Sequence, residues 1–136
     1  LSVTHDEAYM HRWVWPEYSL RRALEGAEAH RQALANAIKA GVKIVNGADL
    51  NPIADTAIPE IEWVVKAGMA PAQALIASTR RPAELCDVED VLGTVEVGKF
   101  ADLIAVEGNP LQDISALRKT QLVLKEGQVV VDRLAE

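Results

Sequence analysis

The hydrophobic periodicity of this 136-residue chain changes at Gly93. Ahead of that residue apolar side chains recur every three or four positions; beyond it they alternate. A helical stripe buries one side of a cylinder and an alternating run buries one face of a sheet, so the two patterns cannot share one regular element. The change predicts a helix-rich part over residues 1–90 and a strand-rich part over residues 91–136, within an α/β fold class.

In the first part, Leu20, Ala23, Leu24, Ala27, Leu34 and Ile38 mark a helix from Ser19 to Ala40, with Ser19 as its N-cap and Gly41 as its stop. Val42-Lys43-Ile44-Val45 follows at once, and its β-branched, weakly polar character suits a strand buried on both faces. Ile61, Val64 and Val65 mark a second helix that Gly68 ends. Pro71 opens a third, because a first-turn N–H has no intrahelical partner to lose. Arg80-Arg81-Pro82 is expected to break that helix. In the second part, residues 101–106 read as a strand, and Gln121 to Leu124 pairs with Gln128 to Val131 across Lys125-Glu126-Gly127.

Composition excludes several classes of function. No apolar run approaches the ~20 residues that a membrane-spanning helix needs, so no membrane crossing is expected. A formal charge of -6, with Lys and Arg scattered along the chain, argues against a nucleic-acid partner, since phosphate binding needs clustered cations. The one cysteine, Cys86, permits no internal disulfide and no cysteine cage for a metal, and a reducing cytoplasm is the expected compartment. The chain starts at Leu1, as a processed chain or an excised piece would.

Asp49 is the residue best placed for chemistry. It follows Asn46-Gly47-Ala48 at the carboxyl end of the predicted strand, the end at which barrel enzymes gather their catalytic groups. A carboxylate there can serve as a general acid–base group. Its structural reading is a turn residue, a role that Asp often fills after Gly. Tyr9, Trp13, Trp15 and Tyr18, four of the six aromatics, crowd ahead of the long helix. They either line a pocket, with Tyr9 and Trp13 as substrate contacts, or pack as a lid. Asn51, in the loop after Asp49, is a further substrate-contact candidate. His5 and His11, six apart, match neither facing helical positions nor a His-x-His strand pair, and His30 lies mid-helix; all three read as surface or packing residues. Arg80 and Arg81 read as partners for free helix-end carbonyls, Lys99 as surface, and Gly93 and Gly98 as turn residues rather than a phosphate loop.

From about Ala33 to Val131 the chain resembles the metal-dependent amidohydrolases. The resemblance rests on Ala40-Gly41-Val42-Lys43-Ile44, on Lys66-Ala67-Gly68-Met69-Ala70-Pro71, on Gln73-Ala74-Leu75, and above all on the stretch from Gly93 to Leu111. It looks most like the branch containing imidazolonepropionase and Xaa-Pro dipeptidase relatives. The resemblance implies the last β/α elements of a TIM-type barrel over residues 1–90, then part of a small C-terminal β-sandwich over 91–136. It implies hydrolysis of an amide or other C–N bond of a small-molecule or peptide-like substrate. Asp49 would be metal ligand and proton-transfer residue, with a divalent metal, zinc, in the complete enzyme and none held by this chain alone. The family draws its other ligands from earlier strands that this sequence does not contain, and it usually shows Gly-Thr-Asp where this chain has Gly47-Ala48-Asp49. Bare strand edges would make the chain a homo-oligomer or the partner of a missing N-terminal portion. Two alternatives accompany this reading: a non-catalytic structural or oligomerisation module derived from an amidohydrolase, and a small-molecule binding protein that uses the aromatic loop.

Overall fold

The computed structural model describes residues 7–12, 15–48 and 56–134. Along them run α1 (Glu7–Arg12), α2 (Glu17–Lys39), α3 (Ala57–Lys66), α4 (Pro71–Ser78), α5 (Arg80–Leu85), β1 (Leu103–Val106), a 3₁₀ turn (Ile114–Arg118), β2 (Thr120–Lys125) and β3 (Gln128–Asp132). The fold is mixed α/β, with helices leading and a three-stranded antiparallel sheet following. Two compact units divide it: residues 1–43 with 47–69, and residues 44–46 with 70–136.

In the first unit, α2 starts ahead of the expected Ser19. Pro16, at φ −57° and ψ 141°, is the N-cap, and Ser19 lies in the first turn with its N–H donating to the Pro16 carbonyl at 2.9 Å. Proline fixes φ, and Glu17 sets a negative charge against the helix N-terminus; together they outweigh the serine as a start signal. Ahead of α2, in the stretch read as a loop, α1 forms and buries Met10 completely, with Trp15, Leu20 and Ala23 packed against it. Burying such a side chain contributes about 1.5–3 kcal/mol.

The stop signals act through hydrogen bonds. At the end of α2, the Gly41 N–H donates to the Ile38 carbonyl and the Val42 N–H to the Ala37 carbonyl, both at 3.0 Å. This Schellman pairing satisfies carbonyls that the helix leaves free, and it needs a left-handed residue, which Gly41 supplies at φ 69°. α3 closes in the same way, with Gly68 N–H on Val65 O at 2.9 Å and Met69 N–H on Val64 O at 3.1 Å. Val64 and Met69 are buried, at the two positions where this motif places an apolar contact.

In the second unit, α4 opens on Pro71 at its first position, as the sequence predicts. The Arg80-Arg81-Pro82 run ends nothing, however. Thr79 leaves the helical region at φ −128° and ψ −79°, and α5 starts directly after it with Pro82 in its first turn. The first four N–H groups of a helix have no intrahelical partner, so a proline there costs no bond. α5 then ends on a third Schellman pair, Asp87 N–H to Glu84 O at 3.4 Å and Val88 N–H to Ala83 O at 3.0 Å, with Asp87 at φ 54°.

The sheet runs β1-β2-β3. Leu103 pairs with Leu124 and Ala105 with Leu122 across the first ladder; Val123 pairs with Val131 and Lys125 with Gln128 across the second. The turn between β2 and β3 is the two residues Glu126 and Gly127, at φ 52° and 80°, the pattern of a type I′ hairpin. The strand expected over 101–106 shortens to Leu103–Val106 because Ala101 and Asp102 serve the turn instead. The Ala101 carbonyl accepts the Gly127 N–H at 3.1 Å, and the Asp102 carboxylate accepts the Glu126 N–H at 2.7 Å. The 3₁₀ turn, absent from the sequence expectations, carries the buried Ile114, Ala116 and Leu117, and Asp113 caps it by accepting the Ser115 N–H at 3.0 Å.

Lys99 corrects its sequence reading as a surface residue. Only 14% of its side chain is exposed, and its Nζ donates to Thr94 Oγ1 at 2.5 Å and lies 3.5 Å from Glu96. The same turn holds the Glu96 carboxyl below the usual carboxylate range, first through the Thr94 hydroxyl and then through the Lys99 charge.

Candidate functional site

The Schellman end of α2 delivers the chain into residues 42–48, which lead to Asp49. The sequence predicts a strand buried on both faces here. Residues 42–48 instead carry no ladder among the described residues, and Val42 is 54% and Val45 36% exposed. Burial on both faces goes with a paired strand on each side, and among the described residues no strand pairs with this segment.

Residues 44–46 are held by side chains and carbonyls of the α4–α5 elbow. The Asn46 N–H donates to the Ala77 carbonyl at 2.8 Å, and Asn46 Nδ2 donates to Ser78 Oγ at 3.2 Å. Ser78 Oγ in turn donates to the Ala74 carbonyl at 2.9 Å. Arg81 bridges the rest, with Nη1 on the Ile44 carbonyl and Nη2 on Gln73 Oε1, both at 3.2 Å. The last carbonyls of α4 explain the arrangement. Thr79 takes those of Leu75, through Oγ1 at 2.8 Å, and Ile76, through its N–H at 3.4 Å; Ala77 is left for a strand-like visitor, and Asn46 fills that place. Arg81 does satisfy a carbonyl, as its sequence reading has it, but that of a residue 37 positions upstream rather than one at its own helix end.

Of the site residues expected from sequence, Asp49, Asn51 and Trp13 lie outside the described residues, as does His5. Tyr9 lies in α1, where only its backbone is described. Among the other cluster aromatics, Trp15 packs on Met10 and Tyr18 is 65% exposed. His11 is exposed, its Nε2 3.6 Å from Glu7, and His30 is exposed on α2. Among the described residues, no three of His, Cys, Asp and Glu converge as a metal's donor set would require, so these residues by themselves do not fit a hydrolytic metal. Asn46, Ser78 and Arg81 were not singled out by sequence reasoning as a group. Separations of 32 and 37 residues leave no local signal that could have joined them.

A concavity of about 530 Å³ lies in the second unit, lined among others by Thr79, Gly93, Phe100, Asp102 and Ile104. Its walls are mainly apolar, and its one carboxylate is engaged, with Asp102 Oδ2 2.6 Å from Lys125 Nζ. That ammonium, and then the Glu126 N–H, hold the Asp102 carboxyl below its ordinary range.

With helices first, an antiparallel sheet after, and a glycine-led turn between them, the chain belongs to the amidohydrolase family, which it matches over residues 1–130. It is 37% identical over 99 residues to the ochratoxinase of Aspergillus niger, an alignment covering 71% of this chain and 20% of that protein. Among solved structures, it is 36% identical to a Xaa-Pro dipeptidase with methionine bound in its active site, at a TM-score of 0.78 over 85% of this chain and 29% of that one. A prolidase-like protein from Bifidobacterium longum is 32% identical, at a TM-score of 0.76 over 89% of this chain and 31% of its own. The chain thus spans about a fifth of its curated relative and about a third of its solved ones. Among the described residues no helix is long and apolar enough to cross a membrane.

Proposed function

We infer that this chain is the carboxyl-terminal part of a metal-dependent hydrolase acting on amide or other C–N bonds of small-molecule or peptide-like substrates. The observation that carries this reading is the family match over residues 1–130, together with identity above 30% to a Xaa-Pro dipeptidase and to ochratoxinase. Residues 1–90 are read as the last β/α elements of a barrel and residues 91–136 as part of a small sandwich, with 42–45 as a barrel strand that awaits its neighbours.

Asp49 is the proposed catalytic carboxylate: metal ligand and proton carrier between the attacking water and the leaving amine. The family is generally metal-dependent; the remaining donors for zinc would come from outside the described residues. Tyr9, Trp13 and Asn51 are assigned to substrate contact. A cytoplasmic location and assembly with further chain, its own or a second copy, complete the proposal.

The test uses the full-length protein on a panel of Xaa-Pro dipeptides and N-acyl amino acids. Wild type should hydrolyse at least one member, and Asp49→Asn should slow it by about 10²-fold or more, the scale of a lost general acid–base group. Unchanged turnover in a folded Asp49→Asn enzyme would remove the assignment. The rival reading, a non-catalytic assembly module, draws on the large exposed apolar residues Val95, Phe100 and Ile104. It is favoured if the full-length protein hydrolyses nothing yet assembles.

A further inference from the structure

We propose that Asn46 is a modification site: it deamidates through attack by the Gly47 nitrogen, at a rate set by the hold of the α4–α5 elbow. Of the chain's four asparagines, Asn51 and Asn109 precede proline, which has no N–H to lose, and Asn36 precedes Ala37 inside α2. Asn46 alone precedes glycine, whose nitrogen no side chain shields. The step needs no reagent but water. The Gly47 nitrogen gives up its proton and bonds to Asn46 Cγ; the Cγ–Nδ2 bond breaks, and the amide leaves as ammonia with that proton. Water then opens either carbonyl of the cyclic imide. Attack at the side-chain carbonyl gives aspartate, attack at the main-chain carbonyl gives isoaspartate, and nothing is oxidised or reduced.

The elbow governs whether the ring can close. Asn46 Cγ must swing onto its own main chain, and two bonds oppose the swing: Nδ2 donates to Ser78 Oγ at 3.2 Å, and the Asn46 N–H donates to the Ala77 carbonyl at 2.8 Å. Arg81 adds a restraint upstream, through the Ile44 carbonyl at 3.2 Å. The product cannot be held in the same way. Ser78 Oγ spends its proton on the Ala74 carbonyl at 2.9 Å and so meets Asn46 as an acceptor. A carboxylate in that place has no donor to offer, and its oxygen faces another lone pair. Isoaspartate also adds a carbon to the main chain. Conversion therefore releases residues 44–46 from the elbow and is not reversed in water.

The experiment incubates the full-length protein at mildly alkaline pH, folded and in urea, and scores each asparagine peptide by mass spectrometry for exchange of amide by acid. In urea Asn46 should convert ahead of Asn36; in the folded protein it should convert about tenfold or more slowly than in urea. Ser78→Ala removes one acceptor and should speed the folded rate by about 2- to 10-fold, the worth of one hydrogen bond, and Arg81→Met should do likewise. Gly98→Ala, which weakens the fold away from the elbow, should leave that rate near wild type. Gly47→Ala, at a glycine whose φ is not left-handed, should slow conversion in urea by about tenfold or more. Equal rates in the folded and urea-unfolded protein overturn the proposal, as does conversion of Asn36 as fast as Asn46 in urea. So does a folded rate unchanged in both Ser78→Ala and Arg81→Met, or one raised as much by Gly98→Ala, since conversion would then follow global unfolding.

Discussion

At the scale of single residues, Gly93 is the position where the backbone is least replaceable. Its φ is 90°, and a Cβ built there would stand 2.7 Å from Ala83 Cβ, 3.1 Å from Arg80 Cα and 3.2 Å from Thr79 O. A methyl group must therefore displace the start of α5 as well as hold a strained φ. Gly93→Ala is expected to lower stability by about 2–4 kcal/mol, read as a fall in urea midpoint at constant slope. Gly98 isolates the backbone part of that cost, because its φ is 94° but nothing lies within 4 Å of its would-be Cβ. Gly98→Ala should cost only about 1–2 kcal/mol. Equal losses at the two sites would mean that the close approach to α5 contributes nothing.

At the scale of elements, the hairpin depends on a carboxylate that belongs to neither of its strands. Asp102 receives the Glu126 N–H and the Lys125 ammonium, and its carboxyl is held below the ordinary range by both, the ammonium first. A depressed carboxyl stabilises the fold above its unfolded pKa, near 3.9, and this contribution disappears as pH falls through the lower folded value. Lys125, raised first by the same hydrogen bond to Asp102, behaves oppositely: its contribution is complete below its unfolded pKa and fades as pH climbs through the raised one. Asp102→Asn should therefore lose less stability than wild type between pH 7 and pH 2, as measured by denaturant midpoints. A parallel pH dependence in the two proteins would show that the carboxylate carries no linkage. The elements that were legible in sequence are those whose signals are local. Gly41 and Gly68 stop helices, Pro71 starts one, and Glu126-Gly127 turns a hairpin, each because one residue type suits one backbone conformation. The 3₁₀ turn at Ile114–Arg118 and the second helix after Thr79 escaped notice because each is short, and proline in a first turn looks like a breaker when the helix boundary is unknown. The strand at 42–45 failed for another reason: β structure exists only in paired strands, and the β-branched run joins no ladder among the described residues.

At the scale of the whole molecule, the sheet ends on β1 and β3, each with one ladder only. Neither strand contains a Lys or Pro to discourage pairing, and Ile104, Val129 and Val130 are 56%, 60% and 63% exposed. Such edges favour addition of another strand. The chain alone is expected to self-associate, with a mass by light scattering that rises with concentration; a concentration-independent monomer that melts in one cooperative step would contradict this. Family membership was legible because the stretch from Gly93 to Leu111 encodes a turn, a strand and its caps in one continuous run. The hold on residues 44–46 was not, because the hydrogen bonds that join Asn46 to Ser78 and Arg81 to Ile44, across 32 and 37 positions, leave no periodicity to read.

α5 is six residues long, well below the length at which a helix persists by itself in water. It is seated under Gly93 and shares Thr79 with the end of α4, so it has no independent existence. Fraying of the glycine turn and loss of α5 are thus one event, and because Arg81 is the second residue of α5, the brace on Ile44 is released by it too. A disturbance at residue 93 would be felt at residue 44 without either touching the other.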